Sequence, residues 1–490
     1  MKASGDVQAL EALLLLPLDP CSAREGQAAV HVAAEAGAVD CLALLLEARA
    51  SLQQRTVQGA EPLHLAAEHG QREVVRWLLE MRVACDAARS DGARPLHMAA
   101  INGYSDLVEL LHSRGAEPEA ARSNGDRALH VVARQGHLAV LQLLLSWRVT
   151  LDAENGAGDM ALHLAARNGH LPVAAALLEA GAETEPGSGN TPLHGAAYFG
   201  HVDIVRLLLD AKSGPEAHTA SSVTPLHMAA GMGHLQICEL LLERGAQVEP
   251  KTVSGTTALH LAVQEGHLEA ARFLLQRRAD VEATLETGLS ALHAACSRGH
   301  LQLVQLVLDA RAAVEQQISG QKTAAHLAAH HGHLEVLHLL LSRHGHPNCG
   351  ETLLQVAARQ GHLHVVEMLL DSDLEATTPA GLTALQLAAK QGHVDVVRRL
   401  LEAQAEVKEA LHVAAHLGRL DLAQMLLAYR VDVNAASSNE VAEAPLHQAA
   451  LMGHCSLILL FLEAGAQQDA VTRDGQTPLL LGSQLHFLLL

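Results

Sequence analysis

The stretch "TPLHGAAYFGHVDIV", Thr191 to Val205, decides the fold. Thr191 suits the cap of a helix, and Pro192 suits its first turn, where a missing N–H costs nothing. Ala196 and Ala197 give that helix a small-residue face that a neighbouring helix can approach closely. Gly200 stops it, as glycine does where the chain must turn to positive φ. Between the alanines and the glycine stand Tyr198 and Phe199, side by side in a chain with only 2 Trp, 3 Tyr and 4 Phe.

The histidine of T-P-L-H recurs as a marker. It falls at His31, His64, His97, His130, His163, His194, His227, His260, His293, His326, His412 and His447, with most successive gaps of 33 residues. Gln355, Gln386 and Leu480 hold the same place, which makes fifteen modules with the last incomplete. Six residues after the marker comes a glycine, from Gly37 to Gly453, and five before it usually another, such as Gly59 or Gly125. A second helix follows the stop. In "HLAVLQLLL", Leu138, Leu141, Leu144 and Leu145 form an apolar stripe at helical spacing. Polar, glycine-bearing stretches such as "ARSDGARP" (Ala88–Pro95) read as β-turn fingers. One such unit cannot bury its own apolar faces, so neighbours must stack.

Composition points the same way. Aromatics are 2% of 490 residues, so alanine and leucine must build the core, which suits many thin layers better than one thick one. The 34 Lys+Arg against 54 Asp+Glu give a formal charge of −20. That balance disfavours phosphate backbones and anionic lipid headgroups, so no nucleic-acid partner is expected. No segment approaches the roughly 20 apolar residues of a membrane span, so no membrane insertion is expected. Seven cysteines without a C-x-x-C read as reduced thiols, and a cytoplasmic or nuclear location is expected. The apolar run Leu13–Leu16 is too short for a signal peptide, and Asp6 and Glu11 precede it.

A 33-residue period carrying T-P-L-H, A-A, G-H and L-L-L resembles the ankyrin repeat, over essentially the whole chain. The resemblance implies an all-α repeat solenoid of stacked helix-turn-helix modules with β-turn fingers. Residues 1–20 are expected to form an N-terminal half-module or cap helix, on the strength of "DVQALEALLLL" from Asp6. Residues 21–343 are regular modules, 344–411 irregular ones with shortened fingers, and 412–490 the C-terminal modules with an apolar terminal helix. "TPLLLGSQLHFLLL" (Thr477–Leu490) starts like a module but lacks the glycine stop. A final helix folding back over the stack, a partner at this tip, or a longer natural chain would each explain it. Marker gaps shorten to 31 after His163, 29 after His326, 31 after Gln355 and 26 after Gln386. An interrupted finger row, a change of curvature and a weak junction are therefore expected between about residues 344 and 411.

Of the 33 histidines, the markers and those following the helix-stopping glycine have a structural role, which the resemblance implies as hydrogen bonding within and between modules. The segment His326–Cys349 adds His330, His331, His338, His344, His346 and Cys349. Its spacing His344-x-His346-x-x-Cys349 is of a zinc-ligating kind, but no second C/H pair stands at zinc-module distance, so no metal and no cofactor are expected. "SGQKT" (Ser319–Thr323) lacks phosphate-loop spacing, and H-E-x-x-H, G-x-S-x-G and G-x-G-x-x-G are absent. Nothing pairs a nucleophile with a base, and no enzymatic activity is expected.

What remains is a recognition surface. In ankyrin repeats partner contacts come mainly from fingertips and from the two variable positions after A-A. Carried onto this sequence, the concave partner-binding surface comprises Arg134, Gln135, Arg167, Asn168, Tyr198, Phe199, Met232, Gln264, Glu265 and Arg298. Aromatic, Met and Arg residues ringed by polar ones have the composition of interface hot spots. The bland alternative is that Tyr198 and Phe199 fill space between adjacent helices. The expected function is a non-enzymatic interaction scaffold, a single-chain solenoid binding partner proteins. The alternative is a targeting or regulatory subunit of an enzyme whose catalytic part is a separate chain or a missing extension.

Overall fold

Stacking of the modules is written into one side chain in most repeats, as the computed structural model shows. It describes residues 23–24, 27–185, 189–318, 321–344, 351–407, 409–437 and 441–488. The expected N-terminal cap helix, His346 and Cys349 lie outside these residues. The chain divides into two compact units, 1–253 and 254–490. Among the described residues, the first unit holds helix pairs from Ala29–Glu35 with Val39–Glu47 to Pro225–Gly231 with Leu235–Glu243. The second runs from Ala258–Gln264 with Leu268–Gln276 to Pro445–Leu451 with Cys455–Glu463, followed by Pro478–Leu488. A two-residue antiparallel pairing, Ala23–Arg24 with Gln27–Ala28, precedes the first pair. The architecture is an all-α repeat solenoid.

The module around Pro192–Phe199 illustrates how the sequence makes each joint. Thr191 is extended at the N-cap, as the sequence suggests. The capping bond, however, is supplied by His194, whose Nδ1 accepts from the Thr191 N–H at 3.1 Å. Its Nε2 donates to the Val223 carbonyl at 3.0 Å, in the finger of the next module. A carbonyl only accepts, so the ring is the neutral Nε2–H tautomer. The same reach is made by His97 to Ala120, His130 to Ala153 and His293 to Gln316. Gln355 reproduces it with an amide: Oε1 accepts from the Thr352 N–H and Nε2 donates to the Ala376 carbonyl. At the other end of the helix Gly200 takes φ 85°, and the ring of His234 lies against it. A Cβ there would sit 2.6 Å from His234 Cε1, so glycine is required twice over.

Fingers are tied as well. Arg89 N–H donates to the Ala93 carbonyl at 2.8 Å within a finger, and Ser123 N–H donates to the Asp91 carbonyl at 2.9 Å between fingers. Carboxylates add a further tie. Glu119, Asp152 and Glu216 accept from the backbone N–H groups of Thr150, Glu183 and Gln247 in the following modules, and Glu282 and Glu375 do the same for Ala313 and Glu406. The core between helices is alanine and leucine: Leu193, Ala196, Ala197, Leu226, Ala229 and Ala230 are buried.

The expected irregular region is more mixed than its shortened spacings suggest. Between Gln355 and Gln386 the finger keeps its hairpin, with Thr378 N–H donating to the Leu382 carbonyl at 2.9 Å. The two missing residues come out of the second helix, which spans only Leu363–Met368. The 26-residue gap does lose its finger. Glu409 takes φ 59° instead of the extended N-cap conformation, and the buried Nδ1 of His412 has no hydrogen-bond partner among the described residues. At the C-terminal end Pro478–Leu488 packs on Pro445–Leu451 in the place of a further first helix, continuing the stack where folding back over it was one expectation. Leu479 and Leu480 remain exposed there.

Candidate protein-binding surface

The two variable positions close each first helix, and the frame fixes their backbone. Where a histidine follows the glycine, it donates from Nε2 to the carbonyl of the first variable position one module earlier. His170 reaches Arg134 at 2.9 Å, His201 reaches Arg167 at 3.1 Å and His234 reaches Tyr198 at 3.1 Å. In the second unit His300 reaches Gln264 at 3.3 Å and His362 reaches His330 at 2.8 Å. The carbonyls that a helix end would otherwise leave orphaned are thus satisfied, and the side chains stand on a fixed base.

In the first unit the candidate residues divide into two kinds. Arg134 grips Asp126 through two hydrogen bonds, of 2.7 and 3.1 Å. Asp126 is fully buried and also accepts from Asn155 and Asn124. Burial alone would raise its carboxyl, but the bonds from Arg134 and Asn155 outweigh that and hold it below the usual carboxylate range. Arg167 pairs with Asp159 in the same way, at 3.0 Å. Both arginines brace a helix end to the base of its own finger. The sequence carried this signal: the acidic partner stands eight residues before the arginine, as it also does for Glu351 and Arg359. Gln135 is exposed, and Asn168 is exposed while its amide donates to the Leu164 carbonyl at 2.7 Å.

Tyr198 and Phe199 are of the other kind. Their rings meet edge to face at 4.9 Å, and Phe199 stacks over His201 at 6.5 Å. Tyr198 is 40% and Phe199 50% exposed, so they do not serve as filler buried between helices. Met232, on the next module, is also exposed. In the second unit Gln264 donates to Glu265 at 3.1 Å, and exposed Arg298 lines a groove with Leu285, Leu289, Leu327 and His331.

The marker histidines are poor acid–base groups. Burial drives His64, His97 and His194 down to about 4, and it lowers His130, His163 and His293 as well. Among the described residues no group of three or more His, Cys, Asp or Glu side chains is arranged to hold a metal ion. No helix among them is long and apolar enough to cross a membrane.

Comparison with known proteins agrees with this geometry. The family model for ankyrin repeats in three copies matches residues 1–91, 80–155, 96–186, 129–219, 193–285, 278–349 and 343–410, and the model for many copies matches 411–462. Among solved structures, the crystal structure of the human ASB11 ankyrin repeat domain is 29% identical, with a TM-score of 0.41, covering 44% of this chain and 98% of that one. No curated protein matches the chain significantly. With matches following one another over residues 1–462, on a stack of helix pairs joined by β-turn fingers, the chain belongs to the ankyrin repeat family.

Proposed function

We propose that this protein is a non-enzymatic scaffold that binds partner proteins through the ends of its first helices, with Tyr198 and Phe199 as the anchor of the first unit. Ankyrin repeats are in general protein–protein interaction modules. The observation that carries the assignment is the exposed aromatic pair on a helix end whose backbone His234 holds in place. Large aromatic side chains at a fixed position release water on docking and lose little conformational freedom, which is why they dominate interface energies. Gln135, Asn168 and Met232 supply the adjoining rim, and Arg134 and Arg167 support it from behind. Gln264, Glu265 and Arg298 belong to the surface of the second unit.

Affinity capture with mass spectrometry tests the reading, comparing the wild-type chain with a Tyr198→Ala/Phe199→Ala double variant. Loss of a defined subset of captured proteins, with the circular dichroism spectrum unchanged, is the expected outcome. An unchanged set on a folded variant rules out the aromatic pair as the anchor.

A further inference from the structure

In the second unit the fingers and first helices enclose a groove at the modules led by His293 and His326. Leu285, Leu289 and Ile318 of the fingers make one wall, and Arg298, Leu327 and His331 of the helices make the other. An adjoining hollow shares Leu327 and His331 and is lined further by Lys322, His330 and the ion-paired Arg359 and Glu351. The finger wall is therefore aliphatic, and the helix wall carries the cations Arg298 and Lys322 beside the neutralised Arg359–Glu351 pair.

Arg298 and Lys322 differ from the arginines at three other first-helix ends. Asp126, Asp159 and Glu351 stand four residues before their module's marker, and each holds the arginine of its own helix end. Lys322 occupies that position in the His326 module, and His330 occupies the place of the arginine. The finger base is inverted in charge, and the internal brace cannot form. Lys322 and Arg298 are exposed, and no carboxylate among the described residues lies within ion-pair distance of either. On a chain of formal charge −20, two unpaired cations beside two imidazoles form a local reversal of sign.

We propose that this groove docks an acidic, leucine-bearing peptide segment of a partner protein, with its aliphatic side chains on the finger wall and its carboxylates on Arg298, Lys322 and the imidazoles of His330 and His331. The assignment rests on the repeats being a binding surface, but not on Tyr198 and Phe199. Charge complementarity selects the occupant: an anionic chain meets cations that lack carboxylate partners, and a purely aliphatic one leaves them unmatched.

Protons take part in the docking. Burial lowers His330 first, then Lys322, His362 and Arg359, against a raising effect of Glu351. His331 is lowered by burial and then by His330, His333, His362 and Arg298. Both shifts favour the neutral ring in the empty groove. A carboxylate brought against them favours the charged form, so affinity rises as the pH falls.

Fluorescence anisotropy on the full chain tests this with the labelled peptide Glu-Leu-Glu-Glu-Leu-Glu and its counterpart carrying Gln in place of Glu. The acidic peptide is expected to bind saturably and more tightly at about pH 6 than at about pH 8. Arg298→Glu with Lys322→Glu should weaken it roughly tenfold or more, because two attractions become repulsions. His330→Asn with His331→Asn should flatten the pH trend. Equal binding of both peptides, or unchanged affinity in the Arg298→Glu/Lys322→Glu variant, overturns the proposal. Loss of binding in Tyr198→Ala/Phe199→Ala alone also overturns it, placing the peptide on the first unit, whereas an inactive aromatic pair beside an intact acidic-peptide site would fail only the earlier reading.

Discussion

His234 donates from Nε2 to the carbonyl of Tyr198 at 3.1 Å while its ring covers Gly200. One side chain thus closes the helix that carries the aromatic pair and joins two modules. Replacing it with leucine fills the space but removes the donor, leaving the Tyr198 carbonyl to water. His234→Leu is expected to cost about 1–2 kcal/mol in urea unfolding. Hydrogen exchange should accelerate at the amides of Gly200 and His201, which bond to the Ala196 carbonyl beneath it. Unchanged exchange at those amides would mean that the ring is incidental to the helix end.

The neutral marker histidines make stability depend on pH. His64, His97 and His194 are lowered from 6.5 to about 4 by burial, so the unfolded chain binds protons that the folded chain refuses. Their contribution is complete above about 6.5 and is lost as pH falls from there towards about 4. The urea midpoint is expected to drop steadily from pH 7 to pH 5. Gln355 shows that an amide can make both bonds without titrating. His194→Gln should therefore fold and show a shallower decline. A decline of wild-type steepness in that variant would remove His194 from the account.

Arg134 and Gln135 are neighbours in sequence and opposites in role. Arg134→Ala leaves the buried Asp126 without its cation and is expected to destabilise by about 2–4 kcal/mol. Gln135→Ala, at an exposed position, should fall within about 0.5 kcal/mol of wild type. Urea midpoints at constant slope measure both. Equal effects would mean that the Arg134–Asp126 pair does not brace the finger.

The junction before His412 lacks a finger and leaves a buried ring nitrogen without a hydrogen bond among the described residues. Nearest-neighbour stacks come apart where one interface is weakest. Urea unfolding followed by far-ultraviolet circular dichroism is expected to show two steps, with the modules after residue 409 separating first. A single cooperative transition would show that this junction is as strong as the rest.

The frame was legible because each structural demand recurs along the chain at a fixed spacing. The period of 33 residues marks histidine, glycine and alanine before any geometry is known. The candidate site was less legible, since variability marks positions without saying what their side chains hold. Arg134 and Arg167 look like free cations when the variable positions are read alone, and the fold brings each against the aspartate eight residues earlier. The shortened spacing after Gln355 likewise reads as a shortened finger, yet the loss falls in the helix Leu363–Met368. A residue count gives the size of a deletion and leaves its place to the packing. Tyr198 and Phe199 differ because their scarcity singles them out.

The ties between modules all have a direction. Marker histidines donate forward to the next finger, finger carboxylates accept from the next module's amides, and the histidines after the glycines donate backward. The stack therefore has a grammar: a module can be excised or transplanted only with the residues its neighbours reach for. A transplantable unit here is bounded by its finger carboxylate and the following glycine's histidine, and cutting at the helix boundaries would sever all three ties. Chimeras of this protein should be joined in phase with those residues.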